Sequence, residues 1–548
     1  MSLSTTAAKP SPASALLIAA PAVLIIVICC AMPLAWMLGA IVANPVVRTE
    51  LKMTSFRAAL LGRTIGYNGA AAIIATAMGL PAGIVLGRGR GWLAKILWLL
   101  LPAALLMPSL SYAYGWSQFV RLTRPVFRPL GVTFIPGGVA DTVRCIWSLA
   151  AWLWAVPAGM VGLALRRLDT NVQQQAVLDG ALYRVTFRQL IGPIVASLAI
   201  VTVLATQEFA VYEPTGISVV ATEVRMVFDT GAMSSPDNSI AAPGFLQGGK
   251  LSPDQAARAA AAVATAMPLL GVTILLAIVA AWGAGRASAA EALNIGPWPK
   301  ILNAPLWASI VAVMLVILNI GVPVWALVWS LKIPFSIANM WAEFGPQVQG
   351  AIIVAVIASV VACVAAFSAA ARWTPGLIAL GGASFLVGGQ LLAIALIRIY
   401  NRPWLDWAYN AFPVPVIAYV GRFGWLALAG GRGTWSRPWQ ELRDMSSVDG
   451  AGPVRTAWSV VWPLAWPALV AGGLLVGALS LTEVPATVLL FPQNPQVLTP
   501  TLMTWVHMAR FDPMIEASLL MMIAVLVPAI AALALTSIGL RAARRGWK

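Results

Sequence analysis

Ionisable residues stand in or beside long apolar runs, among them Arg144, Glu213, Arg422 and Glu483. A charge inside a membrane segment is costly and faces protein or water, so these residues are candidates for a pore or gate lining. Snorkelling to the interface explains the arginines equally well. The segment GFLQGGKL, Gly244 to Leu251, fits the Gly-x4-Gly-Lys part of a phosphate-binding loop. It lacks the Ser or Thr that would hold Mg²⁺, and no strand precedes it, so no nucleotide site is expected there. His507 is the only histidine, and a lone His builds no metal site. Tyr112, Tyr114 and Trp116 cluster at the end of an apolar run. Phenolates can bind ferric iron, but an aromatic belt at the membrane interface explains the same residues. Cys29, Cys30, Cys145 and Cys363 all fall in apolar stretches without CxxC spacing, and are expected to be buried small hydrophobes. These residues predict no catalytic residue, no metal site and no bound cofactor in this chain.

The elements that must carry these residues are membrane helices. Of the 548 residues, 60% are hydrophobic and only 10% charged, far below the roughly 25% charged residues of a soluble domain. Apolar runs long enough to cross a bilayer need about 20 residues. They occur near 14–41, 65–87, 92–115, 140–165, 194–213, 257–283, 304–330, 350–371, 376–398, 411–430, 465–490 and 515–540. The fold class is therefore all-α, a polytopic membrane protein with about twelve spans. The net charge of +16 comes from 35 Lys and Arg against 19 Asp and Glu, scattered through short loops. Membrane topology and anionic headgroups account for it, and nucleic acid is not an expected partner. The second half of the chain carries the clearer Lys/Arg asymmetry, which places both termini in the cytoplasm. The longest non-membrane segments, Pro214–Gln255 and Gly430–Trp462, are too short for a soluble catalytic domain of ~100 residues.

Two polar loops repeat one pattern. Gln174–Pro193 reads QQAVLDGALYRVTFRQLIGP and Asp444–Pro463 reads DMSSVDGAGPVRTAWSVVWP. Asp179, Gly180, Ala181, Thr186 and Pro193 recur as Asp449, Gly450, Ala451, Thr456 and Pro463, each displaced by 270 positions. Glu213 and Glu483 share that displacement. Several coincidences at one offset argue for duplication, with residues 1–290 and 291–548 as two membrane repeats. Six intervening spans put both loops on one side, so the six-helix repeats are parallel. Locally, Val172–Asp179 suits a short helix capped by Thr170 or Asn171. Gly180 suits the left-handed turn that ends it. A second short helix is expected from Ala181 toward Ile191, with Pro193 in the first turn of the next span.

At these loops the sequence resembles the permeases of binding-protein-dependent ABC importers. Their signature is Glu-Ala-Ala, three residues, a Gly, and a Pro 13 positions on. Asp-Gly-Ala and the Gly-to-Pro spacing match twice, while the Glu-Ala-Ala part reads Gln174-Gln175-Ala176 and Asp444-Met445-Ser446. AYVGRFG, Ala418 to Gly424, and TEVPATVLL, Thr482 to Leu490, add weaker similarity. Two permease units in one chain are most similar to ferric-iron importer permeases, a layout that thiamine and aminoethylphosphonate permeases share. The resemblance implies a pore subunit in a bacterial cytoplasmic (inner) membrane, without enzymatic activity of its own. It further implies two ATPase subunits on the cytoplasmic face and an extracytoplasmic solute-binding protein. The loops would act as coupling helices through Gln174, Ala176, Asp179, Gly180, Ala181, Thr186 and Pro193, and through Asp444, Asp449, Gly450, Ala451, Thr456 and Pro463. An ion-coupled secondary transporter is the rival class. It should carry broken helices with paired acids in the membrane, whereas the few acids here stand at span ends and in loops. A membrane scaffold leaves the paired loops without a purpose.

Overall fold

The computed structural model describes residues 12–43, 52–89, 91–127, 138–230, 253–288, 303–331, 336–369, 374–432, 442, 444–446, 448–490, 494–508 and 511–545. Among them the elements are helical, and no strand is formed. Ten helices are long and apolar enough to cross a membrane, or twelve if each of two bent pairs counts as one span. This is a multi-pass α-helical membrane protein, as the apolar runs require, because in hydrocarbon a helix satisfies its own backbone.

In chain order the first half contains α1 (Ala19–Val42) and α2 (Ser55–Arg88), then the pair α3 (Trp92–Leu105) and α4 (Ser109–Phe127). It continues with α5 (Val139–Arg167), the short α6 (Thr170–Leu178), α7 (Leu182–Thr206), α8 (Val220–Thr230) and α9 (Pro253–Ser288). The second half opens with α10 (Leu306–Trp329) and α11 (Ile337–Ser368), then the pair α12 (Thr374–Val387) and α13 (Gly389–Tyr400). Next come α14 (Pro413–Arg432), α15 (Trp462–Thr482), α16 (Pro485–Leu490), α17 (Leu498–His507) and α18 (Phe511–Arg545). The two opening helices cross over. The segments that make up α1 pack on α11 and α13, while α10 packs on α2 and α4.

Two expected spans are not straight. The run 92–115 is broken between α3 and α4 by a 95° bend, and 376–398 between α12 and α13 by a 100° bend. Pro108 disfavours helical backbone at Met107, and Gly388 takes φ +88°, a conformation that other residues rarely adopt. The bend at 106–108 also relocates the aromatic cluster. Tyr112, Tyr114 and Trp116 are buried among helices instead of standing at an interface, so the aromatic-belt expectation is corrected. Their α4 helix packs against α10.

Three single π turns interrupt the helices, at Val27–Ala31, Ile317–Gly321 and Ala457–Val461. Each stands just before a proline: Pro33, Pro323 and Pro463. A proline has no N–H, and its ring crowds the carbonyl four residues back, so the preceding turn widens. The freed carbonyl of Asn319, four residues before Pro323, is taken by the Tyr112 hydroxyl, which donates to it at 2.6 Å.

Packing relies on small residues, as it must where lipid supplies no hydrophobic drive between helices. Gly79, Gly83 and Gly87 line the α2 face that meets α5. A Cβ at these positions would stand 2.7 Å from Pro157 Cγ, 2.8 Å from Val161 Cβ and 2.5 Å from Leu165 Cβ. Cys29, Cys30 and Cys145 are buried and Cys363 is half-buried, all as free thiols. The division near residue 290, the segment Gly244–Leu251 and most of the loop Pro214–Gln255 lie outside the described residues, as does the side chain of His507.

Candidate functional site

The first polar loop is a helix, a glycine turn and a second helix. The α6 helix is capped by Asp169, whose carboxylate accepts the Asn171 N–H at 2.8 Å. The cap is thus one residue before Thr170 and two before Asn171, the two residues expected from the sequence. At the other end the Ala181 N–H reaches back to the Ala176 carbonyl at 2.8 Å, and Gly180 sits at φ +64°. The second loop closes the same way: the Ala451 N–H donates to the Ser446 carbonyl at 3.0 Å, with Gly450 at φ +76°. Both are left-handed helix ends, in which a residue beyond the glycine satisfies a carbonyl of the last helical turn.

The chain beyond each turn departs from expectation. No separate short helix precedes the next span. The α7 helix runs unbroken from Leu182 to Thr206 with Pro193 inside it. After Gly450, Pro453–Thr456 passes through the third π turn into α15, with Pro463 in its first turn. Neighbouring helices tolerate such prolines by bonding the freed carbonyls or widening a turn. Each glycine turn is therefore joined directly to a membrane helix, and α7 extends about 37 Å from its turn at 1.5 Å per residue.

Both loops fold a threonine back onto the helix before the turn. Thr186 donates to the Gln173 side-chain carbonyl at 2.8 Å. Arg88, at the end of α2, donates to the same Gln173 oxygen at 3.1 Å and to the Thr186 hydroxyl at 3.0 Å. Gln173 itself donates to Gln189 at 2.8 Å. In the second loop Thr456 meets the Ser446 hydroxyl at 3.0 Å. Of the residues singled out from the sequence, Ala176 and Pro193 are buried, Ala181, Ala451 and Thr456 are half-buried, and Gln174, Asp179, Gly180, Asp444, Asp449, Gly450 and Pro463 are exposed. Leu178 and Val448, 270 positions apart, are 86% and 69% exposed beside the two glycines, and Tyr183 is 84% exposed. Apolar side chains are thus exposed beside both turns.

The helices leaving the two loops end at buried carboxylates. Glu483 stands directly after α15, and Glu208 two residues after α7. Arg422 of α14 places its Nε 2.9 Å from a Glu483 oxygen, and the Ala486 N–H donates to the other oxygen at 3.0 Å. Ser109 donates to Glu208 at 2.8 Å. Glu208 lies within electrostatic reach of both Arg422 and Glu483, so the cluster draws on both halves of the chain. The bent pairs meet it too. Ser109 is the first residue of α4, and Gly389 the first of α13. A Cβ on Gly389 would collide with Glu483 Oε1 and Arg422 Nη1, so the carboxylate and guanidinium occupy the space that a side chain would need.

Glu213 is placed elsewhere. It sits on a short 3₁₀ turn and pairs with Arg225 of α8. Arg144 pairs with Asp141 at 3.0 Å and donates to Ser117 at 2.9 Å. Glu208 was missed because a constant displacement of 270 pairs Glu483 with Glu213. Glu208 corresponds to Glu483 at a displacement of 275, with unlike neighbours on both sides, an offset that a single rigid register does not reveal. Among the described residues no group of three or more His, Cys, Asp or Glu could hold a metal ion.

No family model, no curated protein and no solved structure matches this chain.

Proposed function

We propose that this chain is the membrane permease of a binding-protein-dependent ABC importer, with its two halves acting as parallel repeats. The observation that carries the proposal is the pair of glycine turns. Gly180 and Gly450 end polar helices in the same left-handed geometry, with apolar residues exposed beside them and a membrane helix leaving each turn. A headgroup-level connector needs none of this correspondence, whereas two ATPase subunits pulling on two equivalent levers do. The recurring element order supports the repeat. Each half has a π-interrupted first helix, a long second helix, a bent pair, and a polar turn leading to a helix that ends at a buried carboxylate.

In this mechanism a binding protein delivers solute to the outer face, and two ATPase subunits close beneath the cytoplasmic loops. Rotation of the turns is passed along α7 and α15, and the halves rock between outward and inward access. Both termini lie in the cytoplasm of a bacterial cell, with the chain in its cytoplasmic membrane. Ferric iron is the solute that the resemblance puts first, with thiamine or aminoethylphosphonate as alternatives.

An ion-coupled secondary transporter is the second reading, and one observation favours it more than the sequence did. The chain has two sharply broken helices, and Glu208 and Glu483 are buried beside the breaks. Such breaks with ionisable groups are a device of secondary transporters. The exposed, matched turns still have no purpose under that reading. The test is purification of the tagged chain from its native membrane. Retention of an ATPase subunit, and its loss in a Leu178→Asp, Val448→Asp double variant that still inserts, is expected. Uptake driven by an ion gradient without any ATPase would establish the rival.

A further inference from the structure

The sharp bend between α12 and α13 leaves the last carbonyls of α12 short of helical partners. Two of them are satisfied from the other half of the chain. Gln207, the residue after α7, donates its side-chain amide to the Phe385 and Leu386 carbonyls at 3.1 and 3.3 Å. The contact is reciprocated. Gln390, in the first turn of α13, donates to the Ala221 carbonyl of α8 at 3.1 Å. Both glutamines are buried.

The other bend is tied within its own half. The Met107 carbonyl accepts the Trp152 indole N–H of α5 at 3.1 Å, and Ser109 donates to Glu208. Side-chain reach accounts for the difference. Gln207 directly precedes Glu208, whereas Thr482 directly precedes Glu483; the shorter threonine donates to Leu479 of its own helix at 2.9 Å. Gln390 is the second residue of α13, whereas the second residue of α4 is Leu110, whose side chain has no donor.

Charge is divided along the same line. The Arg422–Glu483 ion pair and the Ser109–Glu208 bond each lie within one half. The glutamine bonds that cross between the halves are neutral. Other crossing bonds, such as Tyr112 to Asn319 and Cys30 to Gly421, involve the exchanged opening helices α10 and α1, which are packed on the half they contact. Parting at the α12–α13 bend therefore breaks neutral bonds and strands no buried charge.

We propose that the bend between α12 and α13 is a one-sided gate between the halves. Gln207 and Gln390 hold it shut, and it opens by exchanging their three bonds for water while the carboxylate contacts inside each half stay closed. It stands at the end of α7 far from the Gly180 turn, so it closes the outer side of the path. That outer placement, and control by an ATPase, rest on the permease reading. The clasp itself does not.

The test reads opening as the reactivity of one thiol. Val224 of α8 is buried and, with Leu391 of α13, lines the seam at this bend. Val224→Cys is made with Cys29, Cys30 and Cys363 replaced by serine, and buried Cys145 is kept as a control. The full chain, purified from its native membrane with any ATPase it retains, is placed in lipid nanodiscs and labelled with a charged methanethiosulfonate. Gln207→Met and Gln390→Met keep side-chain length and remove the amide. Each should speed labelling at position 224 by about threefold or more, and both together by about tenfold or more, while Cys145 stays unlabelled. Trp152→Phe, which frees the Met107 carbonyl at the other bend, should change the rate by less than about twofold. Unchanged labelling in the double Met variant, or an equal effect of Trp152→Phe, would overturn the proposal. Labelling of Cys145 alongside position 224 would show general loosening and would overturn it too. ATP with vanadate, added to the chain with both glutamines intact, should also speed labelling. If the Met variants respond and ATP does not, the permease reading and the outer placement fall and the clasp stands. If ATP acts and the Met variants do not, the clasp falls alone.

Discussion

Replacing Gly180 or Gly450 by alanine isolates one feature that both loops share, the left-handed glycine. At each position a Cβ would meet no atom within 4 Å, so the substitution creates no clash. The penalty is conformational. With φ at +64° and +76°, an L-residue is strained by about 1–2 kcal/mol, a factor of roughly 5–30 in the population of the native turn. Whether that strain opens the turn depends on what else holds it. The first loop is braced by Arg88 through Gln173 and Thr186, and hydrogen bonds to a charged group contribute about 1.5–3 kcal/mol each. Among the described residues the second loop shows the Ser446–Thr456 hydroxyl pair, a neutral bond in the range of about 0.5–1.5 kcal/mol. Gly450→Ala should therefore reduce transport more than Gly180→Ala, by about fivefold or more. Gly450→Asn should recover most of the loss, because Asn tolerates the left-handed region. The assay is solute uptake and retention of the ATPase subunit at matched membrane levels. Normal transport by both alanine variants would refute the lever argument. Failure of Gly450→Asn to improve on Gly450→Ala would show that backbone conformation is not the cause.

Four further outcomes are expected. Arg88→Ala leaves buried Gln173 and Thr186 short of a donor and should weaken ATPase retention, with Arg88→Lys intermediate; pull-down yields measure this. Gly389→Ala should lower the unfolding temperature in detergent through collision with Glu483 and Arg422, and a wild-type melting curve would contradict the packing described. The chain purified alone should hydrolyse no ATP, since Gly244–Leu251 lacks the Mg²⁺-binding Ser or Thr; turnover that survives removal of contaminating ATPases would overturn the subunit assignment. After replacement of the native thiols, cysteines at Thr170 and Ser447 should be labelled from the same face of the membrane; labelling from opposite faces would end the parallel-repeat proposal.

The sequence by itself determined the helical membrane class, because hydropathy and segment length are local properties that the bilayer reads directly. It determined the turns at Gly180 and Gly450, because a glycine after a short polar helix acts on its own neighbours. The π turns stand before Pro33, Pro323 and Pro463, but Pro81, Pro193 and Pro268 lie inside helices without one, so a proline alone does not decide them. Tertiary structure decided where the helices leaving these turns lead. Ser109 meets Glu208, and Arg422 meets Glu483, only because bent pairs and crossing helices bring together positions far apart in the chain. The burial of Tyr112, Tyr114 and Trp116 was decided in the same way, by the bend at 106–108 and the packing of α10 against α4. Glu208 and Glu213 are both acids near the end of the same apolar run. The fold pairs Glu213 with Arg225 and buries Glu208 beside the other half of the molecule. That choice belongs to three-dimensional packing: a buried charge is stable only where partners converge on it, and convergence is not written in the spacing of either residue.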